Sequence, residues 1–334
     1  MHVTRYRMFA AAIAASLVTG LPAFAQEMKL ASATINDGQH EWQKLFVEGV
    51  KARVGDKLKM GIYPSSQLGS IPRMAEGVSL GTIESFITPT SFVTNLDPRF
   101  QIFEVPGLIR SPQHLQAVIE DPDYRDHLET MFLDKGLRVI GAIYNSPTVI
   151  LTKKPAPKLE DIKGMKVRTF ASPLQMEPMK HLGAIPTPLA LTEVIPQLQS
   201  GGLDAMLAGM PILTAFKYYD VAKYVTDLEF SYILSVNIVN ENWFKSQPKD
   251  VQEAIRAAGR EAEKKSFPWV LANNKKSEEL WVANKGEILK LPAAEQDKMM
   301  KDFVALGTKI VEANPAVKKE FDRLKAVVDA KAPK

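Results

Sequence analysis

Residues 164–204 read GMKVRTFASPLQMEPMKHLGAIPTPLALTEVIPQLQSGGLD, and this stretch decides the fold. It opens on a short segment of strand character, Met165-Lys166-Val167-Arg168-Thr169-Phe170. Strand alternation sets Met165, Val167 and Thr169 on one face and Lys166, Arg168 and Phe170 on the other. Ala171-Ser172-Pro173 is a turn signal that stops the strand. Arg168 therefore sits at a strand end, beside a strand-to-helix turn. That is a good place to hold an anion. A guanidinium is planar and always charged, and its paired donors match the two oxygens of a carboxylate. Taken alone, such an arginine is as readily a surface residue or half of a structural ion pair.

Outward from this stretch, strand-like and helix-like segments alternate, which predicts an α/β fold. Strands are expected at 29–34, 58–63, 82–88, 137–144 and 149–153, then through Met206 and Leu207, and at 224–230 and 236–240. Residues 39–54 carry Trp42, Leu45, Phe46 and Val50 on one helical stripe. A further helix is expected at 72–80, and Ser111-Pro112 is a good helix start. The C-terminal third is helical. Val251, Ile255, Ala258 and Ala262 share one face, as do Phe303, Leu306 and Ile310, and Phe321, Leu324 and Val328. These stripes read as core.

The chain has 334 residues, with 42 Lys and Arg, 38 Asp and Glu, and no cysteine. Residues 1–25 have the form of a secretory signal. His2, Arg5 and Arg7 make a basic start, an apolar run extends from Met8 to Val18, and Ala23-Phe24-Ala25 fits a cleavage site. Removing them takes two basic residues and no acidic ones, leaving 40 against 38, a formal +2. Near-neutrality argues against nucleic-acid binding. The lack of cysteine rules out disulfides, thiol catalysis and thiolate metal sites. The expected location is the periplasm.

The five pieces Gly164 to Arg168, Ser172-Pro173, Leu182 to Pro188, Glu193 to Gly201 and Asp204 resemble, in order and spacing, the solute-binding proteins of tripartite ATP-independent periplasmic (TRAP) transporters, DctP-like family. Tyr63-Pro64-Ser65-Ser66-Gln67-Leu68-Gly69, Leu80-Gly81-Thr82-Ile83-Glu84, Glu104-Val105-Pro106-Gly107-Leu108 and Pro248-Lys249-Asp250-Val251-Gln252 extend the likeness over nearly the whole mature chain. The resemblance implies two α/β lobes joined by crossing strands and a long helix, with a ligand cleft between them. Lobe one would hold 26–145 and about 234–273, and lobe two about 146–233 and 274–330. It also implies a small organic acid as ligand, membrane subunits driven by an ion gradient as partners, and Arg168 as the carboxylate clamp. A monomer is expected, although some members dimerise through an extended C-terminal helix.

Two departures bear on the ligand. Many members carry a second arginine where this chain has Thr148, in Asn145-Ser146-Pro147-Thr148. The family's ligand-contacting asparagine is replaced by Gly209 or Met210. Both changes make the cleft more apolar, so a monocarboxylate with an apolar or aromatic body is expected over a dicarboxylate. Asn145 is expected to face the cleft. Thr88 and Thr90 either offer hydroxyls to the ligand or satisfy their own turn. Phe230 and Tyr232 either stack on a ligand ring or belong to the core. His40 is expected at the cleft rim. His114, His127 and His181 have no metal-ligand spacing, and neither metal nor cofactor is expected. The rival classes are a periplasmic enzyme, for which no nucleophile elbow, Walker loop or zinc motif is present, and a binding protein that presents its ligand to a sensor kinase.

Overall fold

The computed structural model describes residues 27–333, so the expected signal segment lies outside the described residues. The strands are β1 (Met28–Ser32), β2 (Met60–Tyr63), β3 (Ser85–Pro89), β4 (Leu137–Thr152), β5 (Lys166–Thr169), β6 (Ile185–Pro188), β7 (Ala205–Ala208), β8 (Tyr224–Asn240) and β9 (Glu287–Lys290). Helices α1 (Gly38–Val54), α2 (Ile71–Leu80), α3 (Pro112–Ile119) and α4 (Pro122–Thr130) precede β4. Then come α5 (Pro173–His181), α6 (Leu191–Ser200), α7 (Met210–Ala215) and α8 (Glu241–Ser246). Helices α9 (Lys249–Ala283), α10 (Ala293–Glu312) and α11 (Pro315–Ala330) make up most of the C-terminal third.

One sheet runs β2-β1-β3-β8-β4-β7-β5-β6, with β9 added to β8. It holds two parallel blocks, β2-β1-β3 at one end and β7-β5-β6 at the other. The long antiparallel strands β4 and β8 connect them. The first part of β4 pairs with the end of β8 (Leu137↔Asn240 to Tyr144↔Leu234), and its last residues pair with the start of β8 (Val149↔Asp227 to Thr152↔Tyr224). Block one attaches to the end of β8 through β3, and block two to the end of β4 through β7. Each long strand thus belongs to both halves of the molecule. Sequence reading broke both strands in two, at polar residues and Pro147. In the fold the strands continue through these residues, most of which are buried, with Pro147 and Tyr232 partly exposed. Register slips at Tyr144/Ser146 and Pro147/Val149 absorb the proline, which has no N–H to give the ladder.

Helix α9 has 35 residues and also reaches both halves. Its first part packs on α1 and β4 at a crossing without side chains. Trp42 stacks on Phe46 with ring centroids 4.9 Å apart and donates its indole N–H to Gly259 O at 3.3 Å. A Cβ at Gly141 would lie 2.4 Å from the Trp42 ring, and one at Gly259 would lie 2.0 Å from Ile140 O. The far end of α9 buries Trp281 in the core of block two, with Leu213 and Tyr218. Helix α10 lies on the same half, where Phe303 meets Phe230 edge-on at 5.5 Å.

The last helix departs from the expected lobe division. Its stripe Val317, Phe321, Leu324 and Val328 is buried in one core with Leu115, Tyr124 and Phe132, all of the first half. His114 Nε2 meets Val328 O at 2.9 Å, and His127 Nε2 meets Glu320 Oε2 at 2.6 Å. Residues 315–330 therefore pack on the first half, away from the second to which the sequence reading gave them. Chain order places α11 after α10, but only the partner of its apolar stripe decides where it docks.

Gly259→Ala is expected to lower stability by about 1–3 kcal/mol, because the new methyl meets backbone rather than a flexible side chain. Urea unfolding of the two proteins, followed by far-UV circular dichroism, measures the change. An unaltered midpoint would show that the α9–β4 contact is not tight.

Candidate functional site

A cavity with about 430 Å³ of empty space, partly continuous with solvent, opens at the carboxyl ends of both parallel blocks. Thr34 follows β1, and Thr88 and Pro89 end β3. From the other block come Arg168 of β5 and Phe170 just after it, Leu191 beyond β6, and Ala208 of β7 with Gly209 just after it. Asn145 and Ile233 enter from the middles of the crossing strands. Carboxyl ends of parallel strands are where open α/β sheets leave a crevice.

Arg168 is 2 % exposed. Its Nε donates to Leu189 O and its Nη1 to Leu207 O, both at 3.1 Å. These two bonds aim the fork and leave Nη2 without a protein acceptor. The rings of Phe92, from the first half, and Phe170 flank the guanidinium carbon, each centroid 5.3 Å away. Among the described residues no aspartate or glutamate pairs with it. Burial lowers its pKa to about 10, so it remains a cation at neutral pH. A buried cation without a counter-charge is costly, and an anion beside it removes much of that cost.

The structure brings Arg168, Asn145 and Thr88 of the expected site residues to this one cavity. The other six lie elsewhere. Thr90 donates to Glu104 Oε1 at 3.0 Å, and Thr148 accepts from Ser231 Oγ at 3.0 Å inside the sheet. Met210 is buried in the core of block two, while Gly209 beside it reaches the cavity. Phe230 is core, against Phe303. The Tyr232 hydroxyl donates to Arg110 O at 3.3 Å, away from the cavity. His40 borders a separate groove with about 800 Å³ of empty space, alongside Lys44, Trp269 and Lys276. Its Nδ1 accepts from Asn36 N at 3.3 Å, and burial lowers its pKa. Sequence reading missed Phe92, Gln39 and Ile212 on the cavity wall. The run Thr88-Pro89-Thr90-Ser91-Phe92 after a strand was the available signal for Phe92.

Glu104 lies where the halves meet. It is buried among Thr90 and Ser91 after β3 and Ser172 and Gln175 at the start of α5. Burial pushes its carboxyl up to about 8; Thr90 alone donates to it, and no charged group is among these neighbours.

A cavity shared by two α/β halves joined by continuous strands, with a buried cation on its wall, has the form of a two-lobed solute receptor. Residues 31–314 match the family model for bacterial extracellular solute-binding proteins, family 7 (DctP), and the chain belongs to that family. It is similar to the 2,3-diketo-L-gulonate-binding periplasmic protein YiaO of Escherichia coli (28 % identity over 259 residues, 77 % of this chain and 78 % of the relative). Among solved structures it resembles a TRAP periplasmic solute-binding protein from Xanthobacter autotrophicus with bound β-D-galacturonate (TM-score 0.82, 23 % identity, covering 90 % of this chain and 99 % of that one). One from Shewanella oneidensis with bound succinate is equally similar in fold (TM-score 0.82, 20 % identity, 90 % and 99 %). The chain is thus a TRAP-type solute-binding protein, a transport component and not an enzyme, of a family that works with TRAP membrane subunits.

The Glu104 carboxyl gives a pH prediction. Its folded pKa of about 8 stands above its ordinary 4.5, so the native state holds a proton that the unfolded chain releases. Stability from this group therefore falls as pH rises from about 4.5 to about 8. Wild type is expected to lose more melting temperature between pH 5.5 and pH 8 than Glu104→Gln. Differential scanning fluorimetry reads the two slopes, and parallel slopes would refute the assignment.

Proposed function

We propose that this protein captures a small monocarboxylate with an apolar or aromatic body and presents it to the membrane subunits of a TRAP transporter. The observation that carries this reading is Arg168, a buried, aimed and unpaired guanidinium on a cavity wall. Nη2 and the face left open by Leu189 O and Leu207 O receive the carboxylate. Phe92 and Phe170 keep water from the pair, and Ile71, Ile212 and Ile233 surround the body of the ligand. Asn145, Thr88, Thr34 and Gln39 make up the rest of the polar wall.

A single charge is favoured because Thr148, standing where many relatives have a second arginine, lies inside the sheet and bonds Ser231. No second fixed cation lines this cavity. A second carboxylate would be buried without a partner. The galacturonate held by the Xanthobacter relative is a monocarboxylate, whereas the succinate of the Shewanella relative is not, so the family accommodates both.

Closure of two lobes over the ligand is part of the proposal. One lobe takes residues up to 145, about 234–273 and α11, and the other about 146–233 and α10. Phe92 supports it, since a residue of the first half covers the clamp of the second. The ligand favours the closed form through contacts that only that form completes. A single chain suffices, because the apolar stripe of α11 is already buried against its own first half.

Arg168→Ala is expected to weaken monocarboxylate binding about a hundredfold or more, and Arg168→Lys to recover part of that, since the ammonium lacks the paired donors. Isothermal calorimetry measures both, with circular dichroism confirming an intact fold. Unchanged affinity in Arg168→Ala would overturn the site. Tighter binding of succinate or malate than of matched monocarboxylates would overturn the single-charge reading.

A further inference from the structure

The two rings that flank the Arg168 guanidinium are backed differently. Phe170 is buried and belongs to the core of block two. Phe92 is partly exposed and packs against the cores of both halves. Phe92 and Ile71 line the cavity, and the same two residues line a second space, a groove open to solvent with about 340 Å³ empty. Pro72 borders that groove from the first half, and Ala171, Pro188, Leu189 and Ala190 border it from the second. All of these side chains are apolar. One layer of side chains therefore stands between the cavity and an apolar groove outside it.

That layer is held in place. Phe92 ends a short helical turn, Thr90–Phe92, closed by a bond from Val93 N to Thr90 O at 3.1 Å, and Thr90 is tied to Glu104. Leu189, whose main-chain oxygen accepts from Arg168 Nε, also lines the groove, so the groove runs close behind the guanidinium. A carboxylate on Arg168 sets its neighbouring carbon level with the two flanking rings. A substituent on that carbon meets Phe170 or Phe92. Packed core resists added methylenes, and Phe170 is backed by packed core. Phe92 is backed by open space, so its ring alone keeps the substituent from the groove.

We infer that Phe92 is a specificity-determining residue: its ring excludes alkyl substituents on the carbon next to the carboxylate, so that acids unbranched at that carbon are preferred. This rests on the carboxylate reading of Arg168. It assigns to a residue of the first half a discrimination made at the cation of the second. It also implies that shortening Phe92 joins the cavity to the groove and gives a branch somewhere apolar to lie.

The test is calorimetric titration of mature wild-type protein with two pairs of acids, butanoate against 2-ethylbutanoate and pentanoate against 2-propylpentanoate. In wild type the unbranched acid should bind about tenfold or more tighter than its branched partner. Phe92→Ala should weaken the unbranched acids, since the ring beside the guanidinium is lost, and should bring the ratio down to about threefold or less, or reverse it. Phe92→Leu keeps most of the wall and should keep the wild-type preference. Circular dichroism checks that each variant is folded. Equal or tighter binding of the branched acids by wild type overturns the inference. So does a wild-type ratio that survives in Phe92→Ala. Loss of all the acids in Phe92→Ala and Phe92→Leu alike also overturns it, because the ring would then be part of the clamp rather than a wall. Arg168→Ala, run beside them, separates the two levels. Binding that needs Arg168 but ignores branching leaves the clamp standing and removes only this inference. No binding of any of the acids by wild type, or binding indifferent to Arg168, overturns both.

Discussion

A positive charge held away from water without a negative partner is the constraint around which this molecule is arranged. Arg168 could have been neutralised by an internal carboxylate, as Arg125 is by Glu263 at 2.9 Å elsewhere in the fold. Instead its fork is fixed by two main-chain oxygens, which orient it without cancelling its charge. The protein keeps an unmet electrostatic demand on the wall of a cavity lined by both halves. Under the proposed function, the anion that satisfies it is held between them.

The supporting structure follows from this need. Parallel blocks deliver loops to one edge, and strands β4 and β8 bring both edges to the same space. Phe92 crosses from the first half to lie against the guanidinium, so its environment depends on how the halves are placed. Glu104 lies nearby, bonded to Thr90 after β3 at 3.0 Å and buried beside Ser172 and Gln175 at the start of α5. One boundary thus holds a charged group waiting for a partner and an acid kept neutral by its surroundings.

Much of the architecture was legible in the sequence because periodicity and punctuation report local structure. Strand alternation, proline at a helix start and the apolar stripes of α1 and α9 gave many of the elements within a few residues. The place of Arg168 at a strand end was legible, but its reading as a clamp rested on the family resemblance. The continuity of β4 and β8 was not, because Asn145-Ser146-Pro147 has turn chemistry by composition and strand geometry only through pairing with distant residues. Thr148 and Phe230 illustrate the same limit. Alternation tells which side of a strand a residue takes, but whether that side faces a cavity or a core depends on what packs there. Gln39 and Ile212 lay outside any motif and reached the cavity through tertiary packing alone.

The boundary between the halves is crossed by β4, β8, α9 and the link from α10 to α11. Three of these crossings carry a proline: Pro147 in β4, Pro268 within α9, and Pro315 at the start of α11. Inside a strand or helix, as at Pro147 and Pro268, proline removes a main-chain donor and weakens the local ladder or helix, whereas at the first position of α11 Pro315 costs no hydrogen bond. Bending would therefore be cheapest at Pro147 and Pro268, while sliding would break the paired registers of the long strands. In the closure proposed above, the halves would swing like covers on a common spine, with the depth of the gap rather than its lateral alignment as the coordinate of motion.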